Sequence, residues 1–360
     1  MISQQSREFL YRGTAPPGCY DSHAFIASLE QIPLHRRKFT VYHAEANKVA
    51  PLLGYRLLEA GINLQPDDPI QRLIQASHRS AFATTRQLQV AEEALAILLD
   101  AHIPALVHKG AHLTRSIYPD HGCRAMGDID LLVRPDDFTA AYETLQQHGW
   151  TSEDTPAYRA KSLGPIGIIR GYHFRRSQGV RAWMLSKAID DTHRVYIDLH
   201  RWLIDPGWLP VSDEMFWEGS VNHEPTLLKE LLWTILHGVK SAATGHTPLS
   251  HAVDAWWLAD AGNIDSGALL SEARLWGCEG TVKDMAGFLD NPSAHTFPPR
   301  LYARNAFNDM LVEFLANKSV EYSSYLSYVH KIAPQILLSG KLPRVSVAGL
   351  KILLDRVVLR

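Results

Sequence analysis

Several features are scarce in this 360-residue sequence, and each scarcity excludes a class of protein. It contains only three cysteines, Cys19, Cys123 and Cys278, too far apart for a disulfide framework or a cysteine-ligated metal site. Their number and spacing indicate reduced thiols, so we expect a cytoplasmic protein. The N-terminal segment MISQQSREFLYRG lacks the apolar core of a signal peptide. No stretch approaches the roughly 18 uncharged apolar residues of a transmembrane helix, so no membrane span is expected.

An excess of basic charge is also missing. There are 38 acidic and 36 basic residues, and the formal net charge is −2. Proteins that hold long nucleic acids through their phosphates usually carry a basic excess, so we expect no long nucleic acid as a partner. Small charged substrates stay compatible with this balance, because a local cluster of charges is enough to bind them. Hydrophobic residues make up 46% of the chain, which is typical of a folded globular protein.

The patterning along the chain predicts three parts. Residues 1–94 form an N-terminal helical region, with one helix predicted from Phe39 to Ala60 and a longer one from about Asp68 to Ala101. Residues 95–208 alternate short strands and helices, which predicts a mixed-sheet core. Residues 209–360 form a C-terminal helical domain, with helices predicted up to residue 359. The expected fold class is therefore α+β.

Three strands are predicted in this core, over Pro104–Val107, Asp128–Val133 and His193–Trp202. The first strand leads through Lys109-Gly110-Ala111 into a helix that runs to Tyr118. Such a glycine turn exposes backbone N–H groups at the start of a helix, and these groups are suited to bind phosphate. Taken alone, a glycine before a helix is more often a plain turn.

Two aspartates on the second predicted strand are the sharpest chemical feature. Side chains at positions i and i+2 of a strand share a face, so Asp128 and Asp130 point the same way. Two carboxylates that are aimed into one space repel each other, and burying them without a partner is costly. A divalent cation removes this conflict, and Mg²⁺ is commonly held by a few carboxylates together with substrate phosphates. The alternative interpretation is a strand end with two solvated aspartates.

A third carboxylate, Asp198, lies on a later strand, where it shares a face with Tyr196 and His200. Aspartates on two strands of one sheet form the arrangement used in two-metal phosphoryl or nucleotidyl transfer. His200 is either a partner of these carboxylates or a core histidine. Lys109 and Arg124 are candidates for contacts to a triphosphate, and the alternative is that both are solvated loop charges.

Two further groups of residues are candidate sites. His108 and His112 are four residues apart, as zinc-binding histidines on a helix are, but Gly110 lies between them and no glutamate accompanies them. We therefore do not expect this pair to bind zinc. The second group lies on two predicted C-terminal helices, and it is either a buried polar network or part of the lining of the active-site cleft: His237, Lys240 and Asp254.

The stretch HKGAHLTRSIYPDHGCRAMGDIDLLVRPDDF, with the later VYIDLHRWL, resembles the uncharacterised nucleotidyltransferases, a branch of the DNA polymerase β-like nucleotidyltransferase superfamily. That branch typically contains K-G-A, Y-P and R-x-M-G-D-I-D-L-L-V, followed by D-L-H. The resemblance is specific over Lys109–Phe138 and Val195–Trp202 and looser over the C-terminal helices. The sequence departs from the wider superfamily at Gly110-Ala111, where a glycine–serine pair is common. The gap between Gly110 and Asp128 is also longer than in most members.

The resemblance implies an enzyme that moves a nucleoside monophosphate from a nucleoside triphosphate to a hydroxyl of a small molecule, peptide or protein. Its cofactor would be Mg²⁺ or Mn²⁺. Two alternatives stay open: glycosyl transfer from a nucleotide sugar at the same metal site, and a non-catalytic module that binds nucleotide or a partner. Asp128, Asp130 and Asp198 are the implied catalytic and metal-binding residues. The implied nucleotide-binding residues are Lys109, Gly110, Ala111, Arg124, Gly127 and His200.

Overall fold

The computed structural model describes residues 3–152, 182–203, 213–243 and 249–292. Within these ranges the chain forms 12 α-helices and one five-stranded mixed sheet, which confirms the predicted α+β class. The chain divides into two compact units, one comprising Met1–Asp205 with Asp213–Thr226 and the other Pro206–Ser212 with Leu227–Arg360. The predicted division at residues 94/95 and 208/209 stays a prediction, and the helices predicted beyond residue 292 lie outside the described residues.

The first unit begins with five helices: α1 (Gln4–Thr14), α2 (Ser22–Glu30), α3 (Leu34–Ala46), α4 (Ala50–Glu59) and α5 (Gln71–Asp100). The single helix predicted from Phe39 to Ala60 is wrong, because α3 and α4 are separate. Pro51 lies in the first turn of α4, where its missing N–H is tolerated, but within a continuous helix it would remove a hydrogen bond and clash with the preceding turn. The chain reverses just before it at Lys48, whose φ is +59°.

Helix α5 is the long helix that the sequence predicts from about Asp68. The Oδ1 atom of Asp68 accepts a hydrogen bond from the backbone N–H of Ile70, 2.9 Å away, just before the helix begins. The C-terminal half of α5 buries Leu88, Leu95 and Leu98 in the same hydrophobic core as the sheet. Helix α5 therefore packs against the apolar face of the sheet.

The five strands are β1 (Ala105–His108), β2 (Ile129–Val133), β3 (Thr151–Ser152), β4 (Ala182–Ala188) and β5 (Arg194–His200). Their spatial order is β1-β2-β5-β4-β3, with β2 and β5 parallel and the other neighbours antiparallel. The sequence analysis missed β3 and β4. Strand β4 has no strict alternation of buried and exposed positions, and its extended form depends on a seven-residue pairing with β5.

Helix α6 (Gly110–Ser116) follows β1 directly, and α7 (Phe138–Gln147) follows β2. The odd-numbered side chains of β2 belong to the hydrophobic core, together with Ile197 and Leu199 of β5. Even-numbered residues of both strands consequently lie on the opposite face of the sheet. That face carries the carboxylates described below.

The remaining helices are α8 (Asp213–Trp217) in the first unit, and α9 (Leu227–Ala243), α10 (Ser250–Ala261), α11 (Ser266–Leu275) and α12 (Glu279–Asp290) in the second. The second unit buries Trp257 and Trp276 almost completely, so it has a core of its own. None of the helices in the described ranges has both the length and the apolar character needed to cross a membrane.

Candidate active site

Strand pairing brings two of the three predicted carboxylates together. Asp130 of β2 is the direct partner of Asp198 of β5 in the parallel ladder, and His108 of β1 is the direct partner of Asp130 in the antiparallel ladder. Side chains that are direct partners in a sheet lie on the same face, on strands about 4.8 Å apart. His108, Asp130 and Asp198 therefore form one row across three strands.

His200 joins two carboxylates of this row. Its Nε2 atom lies 2.9 Å from Oδ1 of Asp130 and 3.3 Å from Oδ2 of Asp198. The histidine side chain is only 8% exposed, so these contacts lie in a poorly solvated environment. His200 thus contacts the carboxylates, as one of its two sequence interpretations requires.

Lys109 lies at the end of β1, in the turn that enters α6. Its Nζ atom is 2.5 Å from Oδ1 of Asp130. Its backbone has φ +52°, a left-handed value that is uncommon outside glycine and costs about 1 kcal/mol or more. The turn therefore directs an ammonium group to the buried aspartate, although the sequence analysis predicts this lysine as a phosphate ligand.

Arg124 lies against the same turn. A Cβ atom added at Gly110 would be 2.6 Å from Nη1 of Arg124 and 3.2 Å from Cγ of Met126, so a side chain at this position would displace the end of Arg124. The loop itself is attached to α5, because Thr84 donates a hydrogen bond to the carbonyl of Arg124 (3.2 Å) and Gln87 donates to that of Met126 (3.4 Å). The guanidinium group is thereby placed beside the β1–α6 turn.

Two other predicted nucleotide-binding residues contribute differently. Ala111 is fully buried and its side chain belongs to the core that covers the apolar face of the sheet. Ala111 could therefore offer a ligand only its backbone. Gly127 is exposed, and a Cβ atom there would meet nothing within 4 Å, so the surroundings of this residue are open.

Asp128 and Asp130 lie in different electrostatic environments. Asp128 directly precedes β2 and keeps contact with solvent, yet partial desolvation, followed by the charge of Asp130, raises its pKa above the usual value. Asp198 adds to this increase. Asp130 is 5% exposed, and its burial alone would raise its pKa, but the Lys109 charge and the His200 hydrogen bond outweigh burial and hold that pKa well below the usual range.

The sequence analysis missed His108 as a member of this site. Its side chain is fully buried, and neither ring nitrogen has a hydrogen-bond partner among the described residues. Burial lowers the pKa of His108 well below its usual value, which favours the neutral imidazole. The ring centroid lies 5.5 Å from that of His200 and 6.0 Å from that of Phe216. Only the β1–β2 register could have revealed this position, since the spacing to His112 points elsewhere.

His112 indeed faces a different group. Its Nε2 atom lies 3.7 Å from Oε2 of Glu224, which also pairs with Arg115 at 2.8 Å. Glu224 lies in a short turn in which Val221 and Glu224 exchange two backbone hydrogen bonds. The carbonyl of His223, in the same turn, accepts a hydrogen bond from the N–H of Val107 at 2.8 Å. This turn thereby fixes the end of β1 next to His108.

The three predicted carboxylates carry ligand atoms of the type that a divalent cation such as Mg²⁺ takes. Asp128, Asp130 and Asp198 offer the oxygen ligands that Mg²⁺ prefers. Desolvation first, and then the charges of Asp130 and Asp198, raise the pKa of Asp128, and a cation bound beside these carboxylates would offset their repulsion. Divalent-metal binding by this set stays a prediction.

The C-terminal candidates belong to the second unit. His237 lies on α9, where its ring centroid is 5.0 Å from that of His251, and Asp254 lies on α10 and is 1% exposed. The side chain of Lys240 lies outside the described residues. Their role in a cleft stays a prediction.

Comparison with known proteins identifies the family. No curated protein and no solved structure gives a significant match. A family model described as uncharacterised nucleotidyltransferase matches residues 38–289. The matched range covers more than half of the chain and includes both strands that carry the carboxylates. The chain therefore belongs to the uncharacterised nucleotidyltransferase family.

Proposed function

We propose that this protein is a metal-dependent nucleotidyltransferase, which moves a nucleoside monophosphate from a nucleoside triphosphate to an acceptor hydroxyl. The observation that carries the proposal is the direct pairing of Asp130 with Asp198 across β2 and β5, with Asp128 two residues before Asp130. Family membership supports nucleotidyl transfer in particular. The proposed catalytic residues are these three aspartates.

Asp128, Asp130 and Asp198 would hold Mg²⁺ or Mn²⁺. Such an ion, when bound, neutralises phosphate charge and makes an acceptor hydroxyl easier to deprotonate. Lys109 now supplies the positive charge beside Asp130. We propose that Lys109 releases Asp130 when a cation binds and that its ammonium group then pairs with a phosphate oxygen. Arg124, whose guanidinium lies at the same turn, offers a planar donor to the leaving phosphates.

The proposed chemical step uses Asp198 as the proton acceptor. The hydroxyl proton moves to the Asp198 carboxylate, the hydroxyl oxygen forms a bond to the α-phosphorus, and the bond from that phosphorus to pyrophosphate breaks. The 29% exposure of Asp198 leaves it accessible to an acceptor. His200 contacts both Asp198 and Asp130 and keeps the two carboxylates in register.

The proposed acceptor is a small molecule, a peptide or a protein side chain. A formal net charge of −2 does not favour long nucleic acid. A cytoplasmic location is kept as a prediction from the reduced cysteines.

Nucleotide binding is expected to depend on the metal. Calorimetry of the purified protein should show at least about tenfold tighter binding of a nucleoside triphosphate with Mg²⁺ than with a chelator, because the carboxylates repel a bare triphosphate. Asp136→Asn, which removes an exposed carboxylate of the loop after β2, is the matched control and should bind as the wild type does. Equal affinity with and without Mg²⁺ would contradict the metal assignment.

The reaction type is tested by the released product. Purified protein is incubated with cell extract and isotope-labelled nucleoside triphosphates, and mass spectrometry searches for an acceptor that has gained a nucleoside monophosphate. Pyrophosphate release should accompany that gain. Release of nucleoside diphosphate from a nucleotide sugar would instead indicate glycosyl transfer. Magnesium-dependent nucleotide binding without turnover in any acceptor pool would indicate a non-catalytic module.

A further inference from the structure

The imidazole of His108 has no role in the nucleotidyl transfer proposed above. It is fully buried at the end of β1, and neither nitrogen has a hydrogen-bond partner within the described part of the chain. Buried polar atoms are nearly always partnered, because an unmet donor or acceptor in the core is destabilising. A neutral imidazole that lacks such a partner is, however, a ready metal ligand.

Two other metal-ligating groups face this imidazole. His108, Asp130 and His200 each offer one ligand atom, and these three atoms all lie within 4.8 Å of one another. All three residues are buried. The Nδ1 atom of His200 also lacks a hydrogen-bond partner among the described residues. The cluster thus contains three unmet imidazole nitrogens beside one carboxylate.

The donor types select the class of cation. Imidazole nitrogen is a good ligand for Zn²⁺ and neighbouring transition metals, whereas Mg²⁺ prefers oxygen. Two histidines and one carboxylate also match the three-ligand sets of zinc sites that keep a fourth position open. Zn²⁺ binds such ligands at about 2.0–2.2 Å, and the three ligand atoms are close enough for side-chain rotations to place them around one ion.

We propose that His108, Asp130 and His200 form a second cation site, which takes a divalent transition metal of the Zn²⁺ class. An ion there would replace the Lys109 ammonium as the counter-charge of Asp130. Asp198, which is 29% exposed and 3.3 Å from His200, links the cluster to solvent. The site depends on the proposed function only through Asp130, which both cation sites share. Transition-metal occupancy and Mg²⁺-dependent chemistry are therefore coupled through one carboxylate.

The test is metal binding by the full-length protein after treatment with a chelator. Competition with a chromophoric chelator should show one tightly bound Zn²⁺ per chain, with affinity reduced at least about 100-fold in His108→Gln. Co²⁺, used as a spectroscopic probe, should give visible absorption in the wild type that His108→Gln loses. His112→Gln is the matched control, because it removes a buried imidazole four residues away that faces Glu224. It should bind Zn²⁺ as the wild type does.

Two further measurements keep the test decisive. If His108→Gln does not fold, as judged by circular dichroism, zinc-edge X-ray absorption of the wild type counts imidazole ligands directly. Two imidazole ligands are expected, and a spectrum without imidazole would overturn the proposal. Equal Zn²⁺ affinity in the wild type and in folded His108→Gln would also overturn it. Asp128→Asn separates the two sites: it should keep Zn²⁺ but lose Mg²⁺-dependent nucleotide binding. Failure of the zinc measurements thus leaves the proposed function standing, and the reverse also holds.

Discussion

Asp128→Asn is expected to abolish nucleotidyl transfer while leaving the metal-free protein at least as stable as the wild type. The pKa of Asp128 is raised by partial desolvation and by the charge of Asp130. An acid whose pKa is raised on folding stabilises the fold only below its unfolded pKa, and this contribution is lost as the pH rises through the folded pKa. At neutral pH the Asp128 charge therefore costs stability, and asparagine removes that cost.

The measurements are turnover with Mg²⁺ and thermal unfolding in chelator. Turnover should fall by about 10²–10⁴-fold or more, as expected for loss of a catalytic metal ligand. The stability gain should be present at pH 7 and shrink as the pH falls towards about 3.9, the ordinary aspartate pKa. A large loss of stability in metal-free buffer would instead assign Asp128 a structural role.

Asp130→Asn provides the contrast. From sequence alone, either substitution should relieve repulsion between the two carboxylates, but the structure restricts this relief to Asp128. Asp130 accepts hydrogen bonds from Nζ of Lys109 at 2.5 Å and from Nε2 of His200 at 2.9 Å, and its pKa is lowered on folding. Its stabilising effect is therefore present above the unfolded pKa and lost as the pH falls. We expect Asp130→Asn to lower the free energy of unfolding by about 3–5 kcal/mol at pH 7, measured by urea denaturation in chelator.

Asp198→Asn is expected to separate binding from chemistry. In the proposed mechanism Asp128 and Asp130 of β2 serve the donor triphosphate, whereas Asp198 of β5 serves the acceptor hydroxyl. Lys109 and His200 both contact Asp130 directly, at 2.5 Å and 2.9 Å, and these two contacts are expected to persist when Asp198, the other partner of His200, is replaced. Nucleotide affinity should therefore stay close to that of the wild type, while the chemical step slows by about 10²–10⁴-fold.

Calorimetry with Mg²⁺ and nucleotide, followed by single-turnover kinetics, tests this separation. His200→Ala should show a milder slowing, because the contacts of His200 in the structure are with the carboxylates Asp130 and Asp198, which it positions. Asp136→Asn again serves as the control for loss of a carboxylate. If Asp198→Asn loses nucleotide binding as completely as Asp128→Asn, or leaves turnover unchanged, the role proposed for Asp198 is wrong.

The sequence by itself determined the local elements of the site. The composition of Asp128–Val133 predicted a buried strand, and the two-residue spacing of its aspartates placed both on one face. The even and odd positions of β2 do lie on opposite faces of the sheet. Helical periodicity likewise predicted α5, apart from its ends. These features depend on residues a few positions apart, so a single sequence carries them. The prediction of one helix from Phe39 to Ala60 is wrong because it used hydrophobic periodicity alone. Pro51 disfavours helical backbone at the residue before it, and periodicity does not include this effect.

Only the tertiary structure decided which groups meet. Strand pairing places Asp198 beside Asp130, 68 positions earlier in the chain, and the antiparallel partner β1 places His108 opposite the same carboxylate. Pairing with β5 also keeps β4 extended, although the sequence of β4 has no strict alternation of buried and exposed positions. Lys109 reaches Asp130 only through its left-handed backbone turn. Register and side-chain pairing arise from long-range packing, and no local periodicity encodes them, because a shift of one residue would turn His108 to the opposite face of the sheet.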